Sequence, residues 1–312
     1  MTMKRVLTVC AAALALAIGA YAAWLGVPRH DWFVERTGVL DSAQATAFEA
    51  DGIVYETVGL AATTGLAVDL RVNRPAAGGG RLPVVLLVGG QRTGKDAVDL
   101  AGRPDGVAFV AIDYPYAGNR DPEGFWASLA IAPDVQRTFL DTPPALSLVV
   151  AWLVKQPWAD PARIDLVGAS LGVPFAAVAG AIDNRIARVW LLHGGADNVS
   201  WVSHAGRKHI DNEMLRRVVA RLALLLVHGP SFDTPKWIRE TAPRPVIIVA
   251  ARDDDYVPPE AQAPFVALDA LEHVELVWTE GLHIGPGRTG ELQQLLDIVL
   301  SRIVASGPVM ER

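Results

Sequence analysis

One serine of this chain stands in a pattern that presents a hydroxyl group for chemistry. Residues 164–172 read Ile-Asp-Leu-Val-Gly-Ala-Ser-Leu-Gly, so Ser170 lies between two glycines just after an apolar run. The apolar, alanine-rich stretch 175–182 comes next and is typical of a buried helix. A strand, Gly-x-Ser-x-Gly and a helix form a nucleophile elbow, a strained turn whose glycines avoid a clash and whose serine is exposed. The alternative is an ordinary glycine–serine turn at the end of a parallel strand.

A serine hydroxyl is a weak nucleophile unless an imidazole takes its proton, and the imidazole needs a carboxylate to orient it. In proteins with such an elbow, the acid and then the histidine follow the serine along the chain. Asp253, Asp254 and Asp255 follow one apolar run, and His283 follows the next. Loops at the carboxyl ends of parallel strands are where open α/β sheets build their sites. The order predicts a Ser–Asp–His triad, with the choice among the three aspartates left open.

Acyl transfer through a serine also needs donors for the oxyanion of the tetrahedral intermediate. Two N–H groups that are already in place stabilise this charge. The amide of the residue after the nucleophile, Leu171, is expected to be one donor. The loop after an earlier strand, residues 88–94, is expected to supply the other.

The same loop supports a competing hypothesis of another class, a nucleotide-binding protein. Gly89, Gly94 and Lys95 have the spacing of a phosphate-binding loop, and residues 109–113 could end in a magnesium-binding aspartate. Asp96, however, occupies the position where such a loop has a serine or threonine hydroxyl for magnesium. A carboxylate there would repel phosphates, so the sequence disfavours this hypothesis.

The elements that must position these residues are visible as short apolar runs. Runs buried on both faces of a sheet predict parallel strands. Six such runs are residues 83–88, 107–112, 163–167, 189–192, 245–250 and 274–278. Helical patterns separate them, which predicts a doubly wound, mostly parallel α/β fold. His193 follows one of the runs, and we expect it to pack beneath the catalytic face.

Three further segments complete the predicted domain, residues 53–312. Alternation over residues 54–74 predicts a β-hairpin, and the spacing of leucines in 292–303 predicts a final amphipathic helix. Residues 196–243 are too long for a simple crossover and predict an inserted helical cap. We expect its aromatic residues Trp201, Phe232 and Trp237 to pack the insertion onto the domain.

Residues 160–164, the elbow, the aspartate loop and the histidine loop together resemble the α/β-hydrolase superfamily. The chain looks most like its dienelactone hydrolase, acetylxylan esterase and prolyl-oligopeptidase-like branches, over about residues 54–305 in order of elements. In that family the acid commonly stands four residues before a Val-Pro proline, which points to Asp254, and His283 has the family's Gly-x-His form. Gly89 and Gly90 occupy the place of the family's His-Gly, so the resemblance points to the Gln91 amide as the second oxyanion donor.

The resemblance implies a function as well as a fold. It implies a serine hydrolase that acts by acyl transfer, first of all on a small-molecule carboxylic ester, with no cofactor and no metal. A serine peptidase or a thioesterase is the alternative, because the same fold carries many chemistries. The sequence does not indicate the acyl group, the alcohol or the oligomeric state.

The N-terminus predicts export. Lys4 and Arg5 precede residues 6–27, which carry no charge and are long enough to span a bilayer, for which about 20 apolar residues are needed. Residues 1–27 are therefore expected to be a signal peptide, cleaved after Ala22, or a membrane anchor; the alternative is a buried core helix. Residues 28–52 show no clear period and are interpreted as a linker or loosely packed lead-in.

Composition excludes several other classes. The net charge is −6, without runs of lysine or arginine, which argues against a nucleic-acid partner. Cys10 is the only cysteine among 312 residues, so residues 28–312 cannot form a disulfide, a zinc-thiolate site or a cysteine nucleophile.

Overall fold

A nine-stranded sheet is the frame of the part of the chain that the structure describes. The computed structural model describes residues 3–25, 27, 29–77, 80–90, 93–116, 118, 124, 127, 130–285 and 287–305. The strands are β1 (Leu40–Ala50), β2 (Ile53–Ala62), β3 (Ala67–Pro75), β4 (Leu82–Val88), β5 (Ala108–Ile112), β6 (Ala159–Ala169), β7 (Arg188–Leu192), β8 (Val246–Ala251) and β9 (Val274–Thr279). Their order in the sheet is β1-β2-β3-β5-β4-β6-β7-β8-β9.

The sheet changes from antiparallel to parallel along its width. Strands β1, β2, β3 and β5 pair antiparallel, whereas every pair from β5 to β9 is parallel. The parallel strands are those predicted from apolar runs, since a strand covered on both faces needs apolar side chains on both. The predicted doubly wound, mostly parallel α/β fold is confirmed.

Helices cover both faces of the sheet. They are α1 (Met3–Leu25), α2 (His30–Thr37), α3 (Ala97–Leu100), α4 (Ala132–Leu153), α5 (Gly172–Ile182), α6 (Asn198–Ala205), α7 (Glu213–Leu226), α8 (Thr234–Glu240), α9 (Pro259–Leu268) and α10 (Thr289–Ala305). One face, which we call the α5 face, packs against α2, α4, α5, α8 and α9 in the larger core. The other, the α10 face, packs against α3 and α10 in a smaller core.

Residues 28–52, interpreted as a linker or loosely packed lead-in, contain helix α2 and strand β1 within their described part, residues 29–52. Phe33 of α2 is fully buried and lies against Phe232 and Trp237. Strand β1 pairs along its length with β2, but residues 41–50 are exposed. An edge strand that buries neither face has no alternation of apolar residues, and the sequence therefore gives no period to detect.

The insertion between β7 and β8 is helical and consists of α6, α7 and α8. Phe232 and Trp237 are buried in the core of the α5 face, where Phe232 lies against Phe175. These two aromatic residues pack the insertion onto the domain, as expected. Among the described residues, however, none of the side chains that line the cavity beside Ser170 comes from this insertion.

Helix α1 is the one described helix that is long and apolar enough to cross a membrane, with a mean hydropathy of 1.9 over Thr8–Leu25. Most of it is exposed, unlike a core helix. The described contacts between α1 and the rest of the protein lie in its last turns, where the Tyr21 hydroxyl donates to the carbonyl of Leu225 and Trp24 lies against His228.

Candidate active site

Ser170 lies at the sharp turn between β6 and α5. Its φ of 52° is in the left-handed region, which most non-glycine residues, serine among them, adopt only under strain. A Cβ at Gly172 would overlap the carbonyl oxygen of Val88, and one at Gly168 would press on Ala176. The two glycines therefore let the turn pack tightly against β4 and α5, and the serine projects from the end of the sheet.

Three side chains predicted from different loops meet at this turn. The Nε2 atom of His283 lies 2.8 Å from the Oγ atom of Ser170. Its Nδ1 atom lies 2.9 Å and 3.1 Å from the two carboxylate oxygens of Asp254. This hydrogen-bonded chain can move the hydroxyl proton to the imidazole and stabilise the cation that forms.

The Asp254 carboxylate is held in place by its own loop. Its Oδ1 atom accepts hydrogen bonds from the amides of Tyr256 at 2.9 Å and Val257 at 2.7 Å. The side chain is 1% exposed, so the carboxylate has lost its water. The hydrogen bonds from these amides and from His283 take the place of that water. Asp253, in contrast, is exposed.

Of the two expected oxyanion donors, the structure describes Leu171 but not Gln91. Leu171 directly precedes α5, and within the described residues its amide donates to no other group. Gly90 lies beside the serine, since a Cβ there would be 3.8 Å from the Ser170 Oγ atom. Gln91 lies outside the described residues, so its role stays a prediction.

No family model matches the sequence, and no curated protein matches it either. Solved structures do resemble the fold. An acetyl xylan esterase from a Paenibacillus species has a TM-score of 0.62 at 16% identity, over 88% of this chain and 92% of its own. Acetyl xylan esterase 1 from a Thermoanaerobacterium species has a TM-score of 0.57 at 13% identity, over 88% and 94%. A cold-adapted esterase from an Arctic intertidal metagenomic library has a TM-score of 0.57 at 17% identity, over 84% and 99%.

The chain has the α/β-hydrolase fold. In this fold the elbow, the acid loop and the histidine loop follow three strands of the parallel sheet, here β6, β8 and β9. The site therefore lies at the carboxyl edge of the sheet, where open α/β sheets bind their ligands.

Asp255, which the sequence left open as the acid, has another role in this α/β-hydrolase fold. Its carboxylate accepts hydrogen bonds from the Arg288 guanidinium at 2.7 Å and 2.8 Å and from the His283 amide at 3.3 Å. Arg288 also donates to the His283 carbonyl. The Arg288 hydrogen bonds hold the pKa of Asp255 well below its usual range. The pair, which we call the Asp255–Arg288 clamp, holds the amide and the carbonyl of His283, and no sequence spacing signals it.

His193 lies beneath the site, as expected, and fixes the same loop from the inside. Its Nδ1 atom accepts from the Ile284 amide at 3.0 Å, and its Nε2 atom lies 3.1 Å from the Thr279 hydroxyl. These bonds occupy both ring nitrogens, so His193 has none left for the serine. Burial lowers the pKa of His193 to about 4, which keeps the ring neutral.

In the loop that resembles a phosphate-binding loop, the lysine pairs with the aspartate that would have bound magnesium. Lys95 forms an ion pair with Asp113, and its amide donates to the same carboxylate at 2.9 Å. The cation for phosphate and the aspartate for magnesium thus neutralise each other. The helix that follows, α3, has only four residues, too short for the helix N-terminus that cradles a phosphate.

His193, Asp254 and His283 also form the one group of potential metal ligands within the described residues, with ligand atoms within 4.8 Å of one another. The hydrogen bonds described above already engage these atoms, to Ile284, to Thr279 and between His283 and Asp254. A metal ion would have to displace them. These three side chains therefore fit a hydrogen-bonded arrangement of Ser170, His283 and Asp254 that His193 supports better than they fit a metal centre.

Proposed function

We propose that this protein is a serine hydrolase that cleaves carboxylic esters by acyl transfer. The observation that carries the proposal is the continuous hydrogen-bonded chain from Ser170 through His283 to Asp254, with the serine on a strained elbow. The similar structures are acetyl xylan esterases and an esterase, which supports an ester substrate over an amide or a thioester.

In the proposed mechanism the Oγ atom of Ser170 attacks the ester carbonyl carbon while its proton passes to Nε2 of His283. Asp254 orients the ring and stabilises the imidazolium. The amides of Leu171 and Gln91 stabilise the oxyanion. The imidazolium then gives its proton to the leaving alcohol as the carbon–oxygen bond breaks, and a water molecule activated by His283 releases the acid.

We also propose that the enzyme works outside the cytoplasm. Lys4 and Arg5 followed by the apolar helix α1 support export through a signal peptide or an anchor.

Labelling with a fluorophosphonate probe and turnover of p-nitrophenyl acetate test the proposal. The Ser170→Ala variant should lose both, whereas Ser301→Ala, a change at an exposed serine on α10, should retain both. Amide and thioester analogues in the same assay distinguish an esterase from a peptidase or thioesterase. A wild-type protein that neither labels nor turns over any acyl substrate would contradict the proposal.

A further inference from the structure

A cavity of about 720 Å³ opens beside Ser170 and His283 and extends between the sheet and α10. This volume lies in the range of pockets that bind small molecules, about 300–1,000 Å³. The cavity is thus large enough for much more than an acetyl group.

The cavity exists because the α10 face of the sheet is incompletely covered. Helix α3 has only four residues, so it covers little of the central strands. Leu87 of β4 and Ala169 of β6 point to this face and are only half-buried, although their strands lie in the middle of the sheet. On the side of α10, Leu295 and Val299 line the cavity and are buried.

The wall of the cavity is apolar away from the catalytic groups. It is formed by strand residues such as Val85 and Phe109 and by the leucines of α10. Among the described lining residues the one fixed charge is Arg288, and Asp255 already neutralises it. The wall therefore offers no partner for a carboxylate and few donors for the hydroxyls of a sugar.

We propose that this cavity binds the acyl chain of the substrate, and that this chain is an aliphatic chain of medium length. The inference rests on the proposed function. During turnover the alcohol must leave and water must enter while the acyl group stays on Ser170, so an apolar cavity beside the serine suits the acyl chain, the part of the substrate that stays bound.

The test is the acyl-chain profile of the full-length protein in detergent with p-nitrophenyl esters from acetate to dodecanoate. Each fully buried methylene should raise kcat/KM about fourfold, up to the chain length that fills the cavity. Leu296→Trp, which adds bulk to the wall, should lower the octanoate-to-acetate ratio of kcat/KM about sixteenfold, the loss of roughly two buried methylenes. Val266→Trp, an exposed position on α9, is the matched control and should keep the ratio.

If Leu296→Trp fails to fold by circular dichroism, Leu296→Ala replaces it and should move the optimum toward longer chains. A wild-type profile that is flat or falls from acetate onward would overturn the acyl-chain proposal, as would a ratio unchanged in the Leu296 variant that folds. These outcomes are distinct from failure of the proposed function, which would appear as no labelling of Ser170 and no turnover of acetate.

A second, independent observation concerns helix α7. Its exposed apolar residues share one face, since their positions fall within less than half a turn of the helix: Met214, Leu215, Val218, Val219, Leu222 and Leu226. Arg216 and Arg221 flank this face on either side. The C-terminal end of α7 is the point where Tyr21 of α1 attaches, and Trp24 is half exposed there.

We infer that the apolar face of α7 lies in the surface of the lipid bilayer. An amphipathic helix with arginines beside its apolar face is the form of a helix that lies in a membrane interface. The contact with α1, which is long enough to span, brings α7 to the level where α1 leaves the bilayer. Trp24 suits the same level, because tryptophan is enriched at membrane interfaces.

An environment-sensitive fluorophore tests this inference in the full-length protein reconstituted in lipid nanodiscs. Cys10→Ser removes the only cysteine, and Leu222→Cys or Val266→Cys then places the label on α7 or on the control helix α9. Nitroxide-labelled lipids should quench the label at position 222 strongly and the label at position 266 weakly. Equal quenching at both positions, or quenching of position 222 by aqueous iodide instead, would overturn it.

Discussion

Three successive aspartates occupy three different environments in this site. Asp253 is exposed, Asp254 is buried against His283, and Asp255 pairs with Arg288. Only Asp254 has both the hydrogen bond to the imidazole and the amide donors that keep a carboxylate in place. The family resemblance favours the same residue, but only the geometry distinguishes the tasks of its neighbours.

Asp254→Asn should lower kcat by about 10⁴, because an amide cannot orient and stabilise the imidazolium. Asp253→Asn is the matched control and should change kcat little, since that side chain is exposed. Steady-state kinetics with p-nitrophenyl acetate measure both. A larger loss at Asp253 would contradict the assignment.

His193 should make the fold sensitive to acid. Its pKa is about 4 in the folded protein against an ordinary value of 6.5, because burial disfavours the charged ring. Between these values the unfolded chain binds a proton that the folded chain does not, so stability falls as pH decreases from 6.5 to 4, by about 3 kcal/mol. The pKa of His228 is lowered to about 4 in the same way, so it adds to this loss.

Urea unfolding at about pH 7 and about pH 4.5 measures this effect. His193→Asn should reduce the difference between the two values, because asparagine tolerates the left-handed φ of 48° but does not titrate. An unchanged difference in the variant would show that His193 is not the origin.

At the scale of the elements, the turn between β6 and α5 must lie close to β4 for the serine to project from it. Gly172 allows this approach, because its α-carbon faces the Val88 carbonyl of β4. Gly172→Ala should destabilise the fold by about 1–3 kcal/mol, the usual cost of adding bulk to a packed interior. Gly290→Ala is the control, since a Cβ there meets no atom within 4 Å, and urea unfolding compares the two. Equal stability of both variants would contradict this role.

The elements also show what the sequence could predict and what it could not. The parallel strands and the elbow are local patterns, and they were predicted with nearly correct bounds. Strand β1 was missed because it buries neither face. The Asp255–Arg288 clamp was missed because its residues are 33 positions apart and charged residues are usually solvated. The cavity was missed because it results from the shortness of α3, which leaves no apolar signal of its own.

For the whole molecule, the described contacts of α1 with the rest of the chain lie in its last turns. A chain that begins at residue 28 should therefore fold, stay soluble in detergent that covers the apolar face of α7, and keep the turnover of p-nitrophenyl acetate, since the sheet and the loops of the proposed triad lie beyond it. Gel filtration and kinetics measure this, and the full-length protein in detergent is the reference. An aggregated or inactive truncated protein would contradict a purely targeting or anchoring role for residues 1–27.

The Asp255–Arg288 clamp has a consequence for the surroundings in which the site can work. Its two side chains are 39% and 29% exposed, so dissolved ions reach them. Salt screens exposed charges over a distance of about 10 Å at 0.1 M and about 3 Å at 1 M. The loop that carries His283 is therefore held in two ways. Salt does not weaken its buried hydrogen bond to His193, but it does weaken the Asp255–Arg288 clamp. Ionic strength should loosen the loop of His283 well before it affects the sheet.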